Sequence, residues 1–163
     1  MQTEKICVTS YEILNPMTNV FENNFIEIRQ EVELDEAAAR IIEHFSDVRI
    51  FLLDGQLGAG KTALVKAFGR VLCLEDEVSS PTFGLVNEYF GKKNGTVYHF
   101  DLYRAKDVRE LYRIGIEEYL DSGNYCFFEW SALVEDLIES PFVKLQISIR
   151  PDFSRMINFT KHG

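Results

Sequence analysis

The chain has 163 residues, which suits one domain with one core, and its 46% hydrophobic and 13% aromatic content excludes wholesale disorder. Against 17 basic residues stand 26 acidic ones, a formal charge of −9. That balance excludes a protein that grips a nucleic-acid backbone by itself, because such binding needs Lys and Arg on the phosphates, but it leaves open a nucleic-acid role through a protein partner.

Residues 1–24 are polar, punctuated by Asn15, Pro16, Asn19, Asn23 and Asn24, and read as an N-terminal extension of unknown role before a domain at 25–163. Residues 25–29 alternate apolar and polar, which predicts a strand. Asp35 is placed to cap a helix running to Phe45, with Ala38, Ile41, Ile42 and Phe45 on one face. The short apolar run at 49–54 predicts a buried strand, and residues 61–74 a second helix with Leu64, Val65, Phe68, Val71 and Leu72 as its core stripe. Ser79-Ser80-Pro81-Thr82 reads as a loop.

Residues 85–90 and 96–100 flank a Gly-rich hairpin connection. Residues 107–120 read as helix broken near Gly115, and 125–128 as an apolar strand. Ser131 is placed to cap a short helix through Ile138. Residues 143–150 alternate as a strand, with a closing strand at 155–160. This order predicts an α/β fold, a single P-loop NTPase-like domain with a mixed parallel/antiparallel sheet flanked by helices. Cys7, Cys73 and Cys126 lack metal-ligand spacing and read as free thiols of a reducing compartment. No basic segment followed by an apolar stretch opens the chain, and no apolar run is long enough to span a bilayer, so the expected location is the cytoplasm.

The segment Gly55-Gln56-Leu57-Gly58-Ala59-Gly60-Lys61-Thr62 fits the phosphate-loop pattern at every fixed position. Its glycines allow backbone N–H groups to turn toward phosphate oxygens, and the following helix adds its positive end. Lys61 can reach the β- and γ-phosphates, and the Thr62 hydroxyl can ligate Mg²⁺. A chance match in a chain this long occurs well under about 2% of the time, and here a strand precedes the loop and a helix follows it.

A P-loop enzyme needs a carboxylate on the Mg²⁺ side, at the end of a neighbouring strand. Asp101 and Glu129 both end apolar strands, and the strands alone do not choose between them. The chain lacks an Asn-Lys-x-Asp element, which favours ATP over GTP. His99 reads as a strand residue rather than a base. Arg104, Arg109 and Arg113 could form a small basic patch, although surface salt bridging suits the last two better.

Three further elements carry a resemblance: Ser80-Pro81-Thr82-Phe83, His99-Phe100-Asp101-Leu102-Tyr103-Arg104, and Glu129-Trp130. With the phosphate loop, Glu88-Tyr89 and Gly115, the chain over about residues 25–160 resembles the bacterial TsaE (YjeE) family. That family is the ATPase component of tRNA threonylcarbamoyladenosine biosynthesis. The resemblance implies a Mg²⁺-dependent ATP hydrolase, weak alone. It would support repeated cycles of a threonylcarbamoyl transferase complex, TsaD with TsaB, acting on the adenosine beside the tRNA anticodon. The tRNA would be contacted through those partners, and the chain alone would be a monomer.

Carried onto these positions, Gly55 to Ala63 and Trp130 would surround the nucleotide, and Lys61 would hold phosphates. Thr62 with Glu129 would ligate Mg²⁺, and Asp101 would support hydrolysis. Ser80 to Phe83 would sense the γ-phosphate through Thr82. Ala63 stands where a second Thr is usual, a change of little consequence because the Mg²⁺ ligand would be Thr62, and Ser131 stands where Pro is common, a departure that bears on the shape of the local loop. Two other readings stay open: a small P-loop kinase acting on a metabolite, and a nucleotide-gated binding module.

Overall fold

The computed structural model describes residues 24–81 and 84–163. All of the proposed N-terminal extension except Asn24 lies outside them. Seven strands form one sheet in the order β1-β7-β6-β2-β5-β4-β3. They are β1 (Phe25–Ile28), β2 (Ile50–Gly55), β3 (Val86–Gly91), β4 (Gly95–Asp101), β5 (Tyr125–Glu129), β6 (Phe142–Ile149) and β7 (Arg155–His162). Strands β6, β2, β5 and β4 run parallel, whereas β3, β7 and β1 pair antiparallel with their neighbours at the two edges. The mixed sheet matches the expectation from the sequence.

Helices α1 (Leu34–His44) and α2 (Lys61–Val71) cover one face, and α3 (Val108–Arg113) and α4 (Ile116–Leu120) cover the other. The apolar runs follow from this layering. On β2, Phe51 and Leu53 join the core under α1 and α2, while Ile50 and Leu52 join the opposite core. On β5, Phe127 and Phe128 divide in the same way. Strands buried on both faces need no polar alternation. Phe68 of α2 stacks on Phe127 with ring centroids 4.6 Å apart, and Phe100 on Phe128 at 4.3 Å. Truncating any of these rings to Ala would cost about 3–5 kcal/mol.

Four local expectations are corrected. Asp35 does not cap α1. A 3₁₀ turn (Glu31–Glu33) leads into the helix, and the Asp35 carboxylate instead accepts from Arg70 Nε of α2 at 2.9 Å. Helix α2 stops at Val71, because Cys73 takes a left-handed φ of 57° and the Leu74 N–H turns back to Gly69 O at 3.0 Å. Residues 131–138 form two 3₁₀ turns, Ser131–Leu133 and Glu135–Leu137, rather than an α-helix. The Ser131 side chain bonds Asp54 instead of capping. Cys126 is a buried free thiol as expected, but Cys73, half-buried at the turn after α2, is disulfide-bonded. Gly115 breaks the α3–α4 segment as expected, with φ 73°. Among the described residues, no helix is long and apolar enough to cross a membrane.

Candidate functional site

The candidate site lies at the carboxyl end of β2, in the middle of the sheet, where open α/β sheets gather ligands. Strand β2 ends at Gly55 with φ 154°, and a Cβ there would run into the Ile147 carbonyl oxygen of β6, so only glycine fits. The loop returns to helix at Gly60, which takes φ 104° as the residue before α2. Between them Ala59 is fully buried and anchors the loop to the core. Its carbonyl accepts from Arg155 Nε of β7 at 3.0 Å.

Lys61 is only 5% exposed. Its ammonium donates to Gly55 O at 2.8 Å and Gln56 O at 3.1 Å, and lies 3.7 Å from the centre of the Trp130 ring. Burial pushes the Lys61 pKa below the ordinary lysine value, and the carboxylates of Glu129, Asp54 and Asp101 oppose that push.

The two acids stand side by side because β4 and β5 are parallel neighbours in a register that pairs Asp101 with Glu129. Glu129 is 3% exposed, and its Oε2 accepts from the Thr62 hydroxyl at 3.0 Å. Its Oε1 faces His99 Nε2 at 2.9 Å, and His99 Nδ1 lies 3.2 Å from Ser79 O. Asp101 Oδ2 accepts from the Ser80 hydroxyl at 3.0 Å, and Oδ1 from the Tyr103 N–H at 3.1 Å.

A pocket of about 250 Å³ opens over these groups. Lys61, Thr62, Ala63, Asp101, Glu129 and Trp130 all line it, together with Leu57, Gly58 and Gly60. Gly55, Gln56 and Ala59 do not line it. Their carbonyls hold Lys61 and Arg155 instead. Thr82 lies outside the described residues. Arg109 pairs with Asp107 at 2.6 Å and so takes the surface role expected of it.

Among the described residues, no three His, Cys, Asp or Glu side chains cluster as a metal cage. The donor pair of a hydroxyl and a carboxylate at Thr62 and Glu129 suits Mg²⁺, which is usually held by one or two protein oxygens, with waters and phosphates completing its shell.

Five residues of this site were not singled out for it in the sequence: Asp54, His99, Tyr103, Ser131 and Arg155. His99 carried a signal, since a fully buried imidazole inside an apolar strand must find polar partners. Arg155 carried none, because it meets the loop from 96 residues away.

Residues 28–157 match the sequence model of the family described as Threonylcarbamoyl adenosine biosynthesis protein TsaE. The chain is similar to tRNA threonylcarbamoyladenosine biosynthesis protein TsaE of Rickettsia bellii, with 38% identity over 68% of this chain and 76% of that protein. For the protein of the same name from Bacillus subtilis the identity is 35%, over 70% of each. A crystal structure of Bacillus subtilis YdiB superposes with a TM-score of 0.64 and 27% identity, covering 85% of both chains.

Proposed function

Since the chain belongs to the TsaE family, we propose that it is the Mg²⁺-dependent ATPase of tRNA threonylcarbamoyladenosine biosynthesis. It would act in the cytoplasm with the transferase complex of TsaD and TsaB, supporting its repeated cycles while those partners hold the tRNA. One observation carries this reading: Lys61, the Thr62–Glu129 oxygen pair and Asp101 converge on one pocket over a complete phosphate loop. The formal charge of −9 suits a subunit that leaves tRNA to its partners.

Each residue has a task in that reaction. The loop N–H groups and the N-terminus of α2 face phosphate oxygens, and Lys61 leaves its carbonyl partners to neutralise the β- and γ-phosphates. Thr62 and Glu129 would hold Mg²⁺, which would supply positive charge against the charge that develops on the phosphates. Asp101 orients the attacking water and accepts its proton at a carboxylate oxygen. Trp130 and Tyr103, with ring centroids 4.8 Å apart, wall the pocket mouth and limit bulk water.

The test is reconstitution of the chain with TsaD and TsaB, tRNA, ATP and the threonylcarbamoyl donor, counting modified tRNAs per complex. Wild type should sustain many cycles, and Asp101→Asn should stall after few. A tRNA yield unaffected by wild type would refute the pathway assignment and bring the metabolite-kinase reading forward.

A further inference from the structure

Trp130 holds an unusual backbone conformation. Its φ and ψ are 60° and 57°, a left-handed geometry that a residue with a bulky side chain rarely adopts. The bonds around it run to the end of β2. The Trp130 N–H donates to Leu53 O at 3.2 Å. The Ser131 N–H donates to Asp54 Oδ1 at 3.0 Å, and the Ser131 hydroxyl to Asp54 Oδ2 at 2.7 Å. Ser131 is fully buried, so neither donor could turn to bulk water if Asp54 were lost. Lys144 stands behind the carboxylate at 3.7 Å while pairing with Glu135 at 2.6 Å.

Asp54 directly precedes Gly55, whose carbonyl accepts from Lys61, and the Lys61 ammonium lies against the Trp130 ring. The contacts close a ring through Asp54, Gly55, Lys61, Trp130 and Ser131. A proline at position 131 would lack both donors, so carboxylate and serine are a matched pair in this chain.

We propose that Asp54 and Ser131 form a two-bond latch that positions Trp130 over Lys61 and so sets how the phosphate loop presents its lysine. The consequence for ligand binding rests on the nucleotide-site reading. The placement of Trp130 does not.

Trp130 is the only tryptophan of the chain, so its emission reports this position alone. The experiment records the emission of the nucleotide-free full chain, its melting curve, and its titration with Mg²⁺ and a fluorescent ATP analogue. The proteins are wild type, Ser131→Ala, Asp54→Asn and the double variant. Each single change should shift the Trp130 emission to the red in a folded protein and weaken analogue binding about threefold to tenfold. The double variant should be no worse than the worse single one, because the hydroxyl–carboxylate bond that Ser131→Ala deletes is one that Asp54→Asn also disrupts.

Unchanged emission in both single variants, or losses that add in the double, would overturn the latch. If Asp54→Asn fails to fold, Ser131→Ala alone decides, since it deletes one hydroxyl and keeps the backbone bond. A wild type that does not bind the analogue would refute the nucleotide reading, while the nucleotide-free emission would still decide the latch.

Discussion

Replacing Lys61 with Met removes a charge and keeps a long apolar stem against Trp130. For the fold, the losses are two charged hydrogen bonds, at 2.8 and 3.1 Å, and a contact with the ring face. Hydrogen bonds to charged groups contribute about 1.5–3 kcal/mol, and an ammonium over an indole about 0.5–2 kcal/mol. Against them stands the burial of an ammonium whose pKa is pushed down chiefly by desolvation. Gly55 and Gln56 are not buried, so water can satisfy their freed carbonyls. These effects oppose each other, and the melting temperature should change little.

For ligand binding no such offset exists. Losing one partner of a partly buried charge contact costs about 2–4 kcal/mol, or roughly 30- to 700-fold in Kd. The assay pairs a thermal melt with titration of a fluorescent ATP analogue in Mg²⁺. The sign of the pH effect follows from the lowered lysine pKa. Between that value and the ordinary 10.5, the unfolded chain binds more protons at this side chain than the folded one. Wild type should therefore gain stability relative to Lys61→Met as pH rises through that window, and the difference should be constant below it. Analogue binding within threefold of wild type at an unchanged melting temperature would refute the assignment of Lys61 to phosphate.

Other substitutions separate the remaining roles. Glu129→Gln should weaken nucleotide binding in Mg²⁺ more than in its absence, read by paired titrations, because the amide keeps the shape and loses the charge. Asp101→Asn should bind the analogue normally and hydrolyse ATP about a hundredfold slower or worse, read by phosphate release. Amide exchange at Ser79 and Ser80 should differ between a non-hydrolysable ATP analogue and ADP, and equal protection with both would mark the loop as passive. Burial pushes the Cys126 thiol up to about 12, so the native protein should resist alkylation there at mildly alkaline pH and react only when unfolded, as peptide mass mapping would read.

What the sequence displayed was what local physics writes into it. The β2–loop–α2 unit is contiguous, so its glycine spacing and apolar runs announced the strand, the turn and the helix together. The buried halves of β2 and β5 were legible as unbroken apolar stretches, because helices cover both faces of the sheet. The hidden part is long-range. Asp54 meets Ser131 across 77 positions, and each alone looks like an ordinary polar residue at the end of an element. Asp35 misled for the same reason. Its position suits a helix cap, but Arg70, 35 residues on, supplies a charged partner that a backbone N–H does not match. Residues 131–138 followed, since a cap forecast from a serine fails once its hydroxyl has a carboxylate nearby.

The parallel pairing of β4 and β5 also constrains how the two acids can act. Because Asp101 and Glu129 sit in register, their side chains are near neighbours, yet each has its own partners. Glu129 is tied to Thr62 and, through His99, to the Ser79 carbonyl, while Asp101 is tied to the Ser80 hydroxyl. Two consecutive residues of one loop therefore report separately on the two acids. A ligand that moves Glu129 must stretch or rebuild the His99 bridge, and one that engages Asp101 competes with Ser80 for the same oxygen. A hydrogen bond to a carboxylate contributes about 1.5–3 kcal/mol, and coupling between sites is typically about 1–3 kcal/mol. Ser79 is also held to β3 by Tyr89 and Asn87, so a ligand on either acid would act on the 79–80 segment against those bonds, and Ser80, tied to Asp101, is the residue expected to respond first.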